Sequence, residues 1–199
     1  MTRREKIIQS GLTVLRAHGY PGFTQARVAA EAGMRQSNVT YHFPTRIDLL
    51  TAVARAAIDG QLATIDSMLD GHSVESVSAA IVRVTGRHAS TRVMMALAQA
   101  ADQEPVFRDL FRELADGLVE RVGALLKRID LRATREDGIL IHALGVGLAV
   151  VDLAVYRPDG ERRALAAVEA ALNMMEKRGA VSGTHSIGAG HDAEKGSGQ

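Results

Sequence analysis

The sequence predicts an all-α protein with a compact amino-terminal head and a larger helical body. Three observations carry that expectation. Apolar residues recur at spacings of three and four along nearly every segment, and no stretch alternates between hairpin turns. Each of the four prolines stands at a boundary between periodic runs, where a helix must start or stop. Charge is divided unevenly: residues 1–48 carry seven Arg or Lys against three acids, +4, and the remainder of the 199-residue chain carries −3, for a net +1. With no cysteine in the chain, disulfide frameworks, Cys-ligated zinc, iron–sulfur clusters and thiol nucleophiles are excluded, and a reducing, cytoplasmic location is expected.

A first helix places Ile7, Ile8, Gly11, Leu12 and Leu15 on one face and stops at His18-Gly19, with Pro21 beyond. Thr24 is a good cap for a second helix over Gln25 to Ala32, which Gly33 breaks. A short third helix fits Arg35 to His42 before Pro44. Thr45 can cap a fourth, with Leu49, Leu50 and Val53 inward, running to about Met68 and connecting head to body.

The body begins after the turn Asp70-Gly71-His72-Ser73, with a fifth helix from Ser73 to about His88 and a sixth over Val93 to Gln103. Pro105 opens a long one-faced seventh helix, in which Phe107, Leu110, Phe111, Leu114, Leu118, Val122 and Leu125 recur at threes and fours. Arg135 to Tyr156 reads as an eighth helix, apolar nearly all round between Ile139 and Val155, so both of its sides must be covered. Its uncharged run, Gly138 to Val151, is 14 residues, short of the roughly 18 a membrane span needs. A ninth helix carries the stripe Leu165, Val168, Leu172 and Met175. Residues 179–199 lose apolar periodicity and read as a disordered tail. The expected domains are therefore 1–48, 49–178 and that tail.

The informative stretch is Thr24 to Arg46. A helix-turn-helix needs a small residue where its helices touch, a glycine at the turn and an apolar anchor on the second helix; Ala29, Gly33 and Val39 stand at that spacing. Between Met34 and Val39 lie Arg35, Gln36, Ser37 and Asn38, side chains that can hydrogen-bond to base edges. A compact basic head on a mildly acidic body is also the asymmetry expected of a chain whose one end meets nucleic acid. An all-helical small-molecule binding protein or enzyme with an incidental basic head is the alternative, but these spacings serve no catalytic purpose. A phosphate-cradling glycine loop, a zinc-protease signature and a nucleophile elbow are all missing from the sequence, so no enzyme activity, metal or cofactor is expected.

Around that core the residues run Phe23-Thr24, Val28-Ala29-Ala30-Glu31-Ala32-Gly33-Met34, Thr40-Tyr41-His42-Phe43-Pro44-Thr45-Arg46 and Leu49-Leu50. Over about residues 3–55 this resembles the amino-terminal domain of the TetR family of transcriptional regulators. Two positions depart from the family pattern: Thr40 stands where Tyr is usual, with the aromatic one place on at Tyr41, and Arg46 where Lys is commoner. The resemblance implies that Thr24, Tyr41, His42 and Arg46 grip phosphates while Gln36, Ser37, Asn38 and Thr40 face bases. It further implies a homodimeric repressor that binds an inverted-repeat operator in double-stranded DNA and leaves it when a small-molecule effector occupies the body.

Dimerisation is expected through the eighth and ninth helices, with Gly145 and Gly147 permitting close approach. The expected effector cavity lies among the fifth to eighth helices, lined by His88, Met94, Met95, Phe107, Phe111 and His142, of about 300–1,000 Å³. Asp152, between Val151 and Leu153, is the most unusual acid outside the head, suited to a cationic ligand or to an arginine across an interface. His185 and His191, in the tail, make a weak ligand set.

Overall fold

A computed structural model describes residues 1–67, 73–85, 88–129, 131, 133–156 and 158–184. Among these the chain forms nine helices: α1 (Arg3–Gly22), α2 (Gln25–Glu31), α3 (Gln36–His42), α4 (Arg46–Asp66), α5 (Val74–Thr85), α6 (His88–Gln103), α7 (Val106–Arg128), α8 (Arg135–Val155) and α9 (Gly160–Thr184). The first three helices pack with the start of α4 as the head; α5 to α9 and the remainder of α4 form the body, and α1 lies against α6 along the seam.

Caps decide most of the helix starts. Thr2 with Glu5, Thr45 with Asp48 and Thr134 with Asp137 each form a reciprocal capping box, and the Thr24 hydroxyl accepts from the Arg27 N–H. Gly19 takes φ +63, so α1 kinks where the sequence ends it and a further short turn carries the chain to Gly22. Gly33 takes φ +64 and turns α2 into α3. Gly11 has a different purpose: a Cβ there would lie 2.5 Å from Val53 Cγ2, so its absence lets α1 and α4 cross closely.

The body departs from the sequence expectation at three places. First, α5 ends at Thr85, and His88 opens α6 instead of closing α5; the sixth helix therefore starts five residues before Val93. Second, α9 continues to Thr184, so residues 179–184 are helical and not part of a disordered tail. A glycine such as Gly179 weakens a helix interior by only about 1 kcal/mol relative to alanine, which does not suffice to end a long packed helix. His185, His191 and the rest of that tail lie outside the described residues.

Third, the stripe on α9 turns inward. Val168, Leu172 and Met175 are buried within the protomer against α5 and α8, with Leu165 partly buried beside them. The outward face of α9 instead carries Ala166, Ala170 and Met174 among the exposed Arg163, Asn173 and Lys177. On α8, Leu140, Ala143, Gly147, Val151 and Ala154 follow one another at threes and fours along an exposed face, and Ile139, Val146 and Val155 flank it. By length and composition α8 is apolar enough to cross a membrane. Packing against α5, α6, α7 and α9 accounts for its inner side.

Candidate nucleic-acid interface and effector cavity

The head is held rigid by its smallest helices. Val28, Ala29, Ala32, Val39 and Phe43 are all buried, so α2 and α3 meet through small and branched side chains with Gly33 between them. The Gln25 amide donates to the Phe43 carbonyl at 2.6 Å and fastens the end of α3 to the start of α2. With one side of α3 committed to this core, Gln36, Ser37, Asn38, Thr40 and Tyr41 are left exposed together, and Arg35 precedes them at the cap position. Tyr41 is 84% exposed, a large aromatic side chain with no core role. It meets the partly buried His42 edge-on, ring centroids 5.2 Å apart. The Thr40 hydroxyl donates to the Gln36 carbonyl, which leaves its oxygen free to accept. Thr24 is exposed at the start of α2. The aromatic at 41 thus faces solvent, as does the threonine at 40.

Arg46 is engaged within its own chain. Its Nε donates to the Phe23 carbonyl at 2.8 Å, one terminal nitrogen to the Tyr20 carbonyl at 2.8 Å and the other to the Tyr20 hydroxyl at 3.3 Å. The guanidinium lies over the Tyr20 ring, 4.3 Å from its centroid. Three of its five N–H groups are thus directed at the last turn of α1 and at Phe23 just beyond it, and Arg46 clamps these to the start of α4. The exposed cations of the head are Arg3, Arg4, Lys6, Arg16, Arg27 and Arg35.

In the body, a cavity of about 240 Å³ opens among α4 to α8. Met94, Met95, Phe111 and His142 line it as the sequence suggested, with Ile81, Leu114, Leu118, Ile141 and Ala149. Burial pushes the His142 imidazole below its ordinary range, so it is neutral at neutral pH and can donate or accept one hydrogen bond. The volume is below the drug-sized range but well above the roughly 150 Å³ that admits a benzene ring.

Two expected lining residues are elsewhere. Phe107 is 2% exposed and packs in the core under α7. His88 sits at the head of α6, its Nε2 2.7 Å from Asp152 Oδ2 and its ring 5.0 Å from that of Tyr156. Asp152 is therefore paired with a histidine of its own chain. Sequence reasoning missed Gln61 and Ile65, which α4 contributes to the cavity wall. Their signal was present as the continuation of the α4 apolar face past Ile58.

Residues 7–53 match the family model described as bacterial regulatory proteins, tetR family. The head is a tetR-family DNA-binding domain. Over 52 residues the chain is 42% identical to the HTH-type transcriptional regulator CymR of Pseudomonas putida, a match spanning 26% of each chain. Likeness to solved structures extends past the tetR-family head. The multidrug binding protein EbrR, crystallised with imidazole, is 26% identical, with 85% of this chain and 89% of that one covered and a TM-score of 0.63. A transcriptional regulator from Rhodococcus sp. Rha1 superposes with a TM-score of 0.76 over 88% of this chain and 97% of that one; at 23% identity it shows the shared fold.

Proposed function

We propose that this chain is a homodimeric transcriptional repressor, cytoplasmic, that binds an inverted-repeat operator through α3 and is released by a small, mostly apolar effector. The observation that carries this reading is the exposed polar face of α3, Gln36 to Tyr41, displayed on a head whose other side is fully packed. Gln36 and Asn38 suit bidentate reading of adenine, Arg35 of guanine, and Ser37 and Thr40 either; Thr24, Tyr41 and His42 flank them as backbone contacts.

The exposed faces of α8 (Leu140, Ala143, Gly147, Val151, Ala154) and α9 (Ala166, Ala170, Met174) favour a two-fold pairing of protomers. A Cβ at Gly147 would meet nothing within 4 Å, so a partner helix has room to approach there. An obligate interface of this kind buries on the order of 2,000 Å² or more. Pairing sets the two α3 helices at a fixed separation of about 34–36 Å, or a multiple of it, for successive major grooves. An effector in the cavity releases DNA only if it prefers a conformer in which that separation is wrong.

The test is fluorescence anisotropy of the full chain on the DNA upstream of its own coding sequence, against a random duplex of equal length. The reading requires preference for the upstream DNA by about 10³-fold or more at physiological salt. Equal affinity for both duplexes would overturn it.

A further inference from the structure

The apolar cavity has a polar neighbour. A cleft of about 280 Å³ runs along the seam between head and body, and Arg16 of α1 and Arg83 of α5 both line it, together with Gln9 and Thr64. Arginine stays protonated in proteins, so the cleft carries two permanent positive charges. No Asp or Glu is among its lining residues. Among the described residues neither guanidinium has a hydrogen bond or ion pair, whereas Arg46, Arg55, Arg121 and Arg135 are all engaged. Two unpaired cations gathered in one polar cleft favour an oxyanion, which a guanidinium fork can hold bidentately.

Gln61, Ser90 and Met94 line both the cleft and the apolar cavity. The wall between the two spaces is therefore shared, and Met94 and Gln61 are unbranched, rotatable side chains that can move aside. Resting on the effector reading above, we infer that the effector is an amphipathic anion whose apolar body fills the cavity and whose carboxylate or phosphate sits between Arg16 and Arg83. Arg16 belongs to the DNA-binding head and Arg83 to the body. An anion that draws both toward itself thus has a different affinity for each head orientation, which is what release from DNA requires.

Because the chain has no tryptophan, naphthalene probes can be followed by their own fluorescence. The full-length protein is titrated with 2-naphthol, 2-naphthylacetate, 2-naphthyl phosphate and inorganic phosphate, in parallel with Arg16→Gln, Arg83→Gln and, as a charge control, Arg162→Gln. All three arginines are exposed, and far-UV circular dichroism verifies that each variant is folded. The expected result is that at least one naphthyl anion binds about 10-fold or more tightly than 2-naphthol. Either cleft variant should abolish that advantage, with 2-naphthol binding unchanged and Arg162→Gln behaving as wild type. Anions no tighter than 2-naphthol, an advantage that survives both cleft variants, or inorganic phosphate binding without any gain for the naphthyl anions would each overturn the inference while leaving the cavity reading intact. Failure of 2-naphthol itself to bind would instead remove the cavity reading on which the inference rests.

Discussion

Replacing Arg46 by alanine separates two roles that a basic residue next to a recognition helix can have. The variant removes donations to the Tyr20 and Phe23 carbonyls, each at 2.8 Å and partly buried, and the stacking over Tyr20 at 4.3 Å. A hydrogen bond from a charged donor contributes about 1.5–3 kcal/mol; partial solvent access to the freed carbonyls puts each here at about 1 kcal/mol. The cation–π contact adds about 0.5–1 kcal/mol, for a total of about 2.5–3 kcal/mol. Urea unfolding followed by circular dichroism should show that loss, and Arg46→Lys should recover little of it, because an ammonium cannot reach both carbonyls as a planar fork does. DNA affinity should fall through the loosened head, with the slope of log affinity against log salt kept. If Arg46→Ala left the unfolding midpoint unchanged and shallowed the salt slope by about one, Arg46 would be a phosphate contact and the clamp would be wrong.

Other outcomes follow from the same geometry. Gln36→Ala and Asn38→Ala should each weaken binding to the cognate duplex by roughly 1–3 kcal/mol with little change on random DNA, as read by anisotropy at two salt concentrations. Gly11→Ala forces a methyl against Val53 and should destabilise the head by about 1–3 kcal/mol in urea, whereas an alanine substituted at the solvent-open Gly60 should be tolerated. Val151→Asp and Leu140→Asp, on the exposed face of α8, should turn a dimer into monomers in sedimentation at micromolar concentration; unchanged dimers would place the interface elsewhere. Burial alone would raise the Asp137 carboxyl, but hydrogen bonds from Arg178 and Thr134 outweigh it and hold it below the usual carboxylate range. Its contribution to stability is therefore complete above the unfolded pKa near 4 and is lost as pH falls through the lower folded value, a loss that acid titration of Asp137→Asn should lack.

Local chemistry made the head legible. Thr24, Gly33, Pro44 and Thr45 each dictate a cap or a turn from within four residues, and the helix boundaries they imply agree with the fold to within a residue. Arg46 could not be placed that way, since its partners lie 23 and 26 positions earlier and its fork suits a carbonyl as well as a phosphate. The stripe on α9 was visible as a stripe, but periodicity does not reveal whether a face meets its own chain or another. His88 and Phe107 fit a cavity by residue type, but His88 meets a carboxylate 64 positions away and Phe107 is buried in the core.

The fourth helix has a consequence that stems from its length alone. Its first residue is tied to the loop after α1, and Gln61 and Ile65 near its far end form part of the cavity wall. At about 1.5 Å per residue these points are roughly 22–28 Å apart, so a pivot in the body would make α4 a lever arm. A tilt of about 5° carries the head end through roughly 2 Å, and in a two-fold dimer two such arms swing oppositely, so the spacing between reading helices changes by up to twice as much. Molecules of quite different shape that tilt this rod alike would then give the same output.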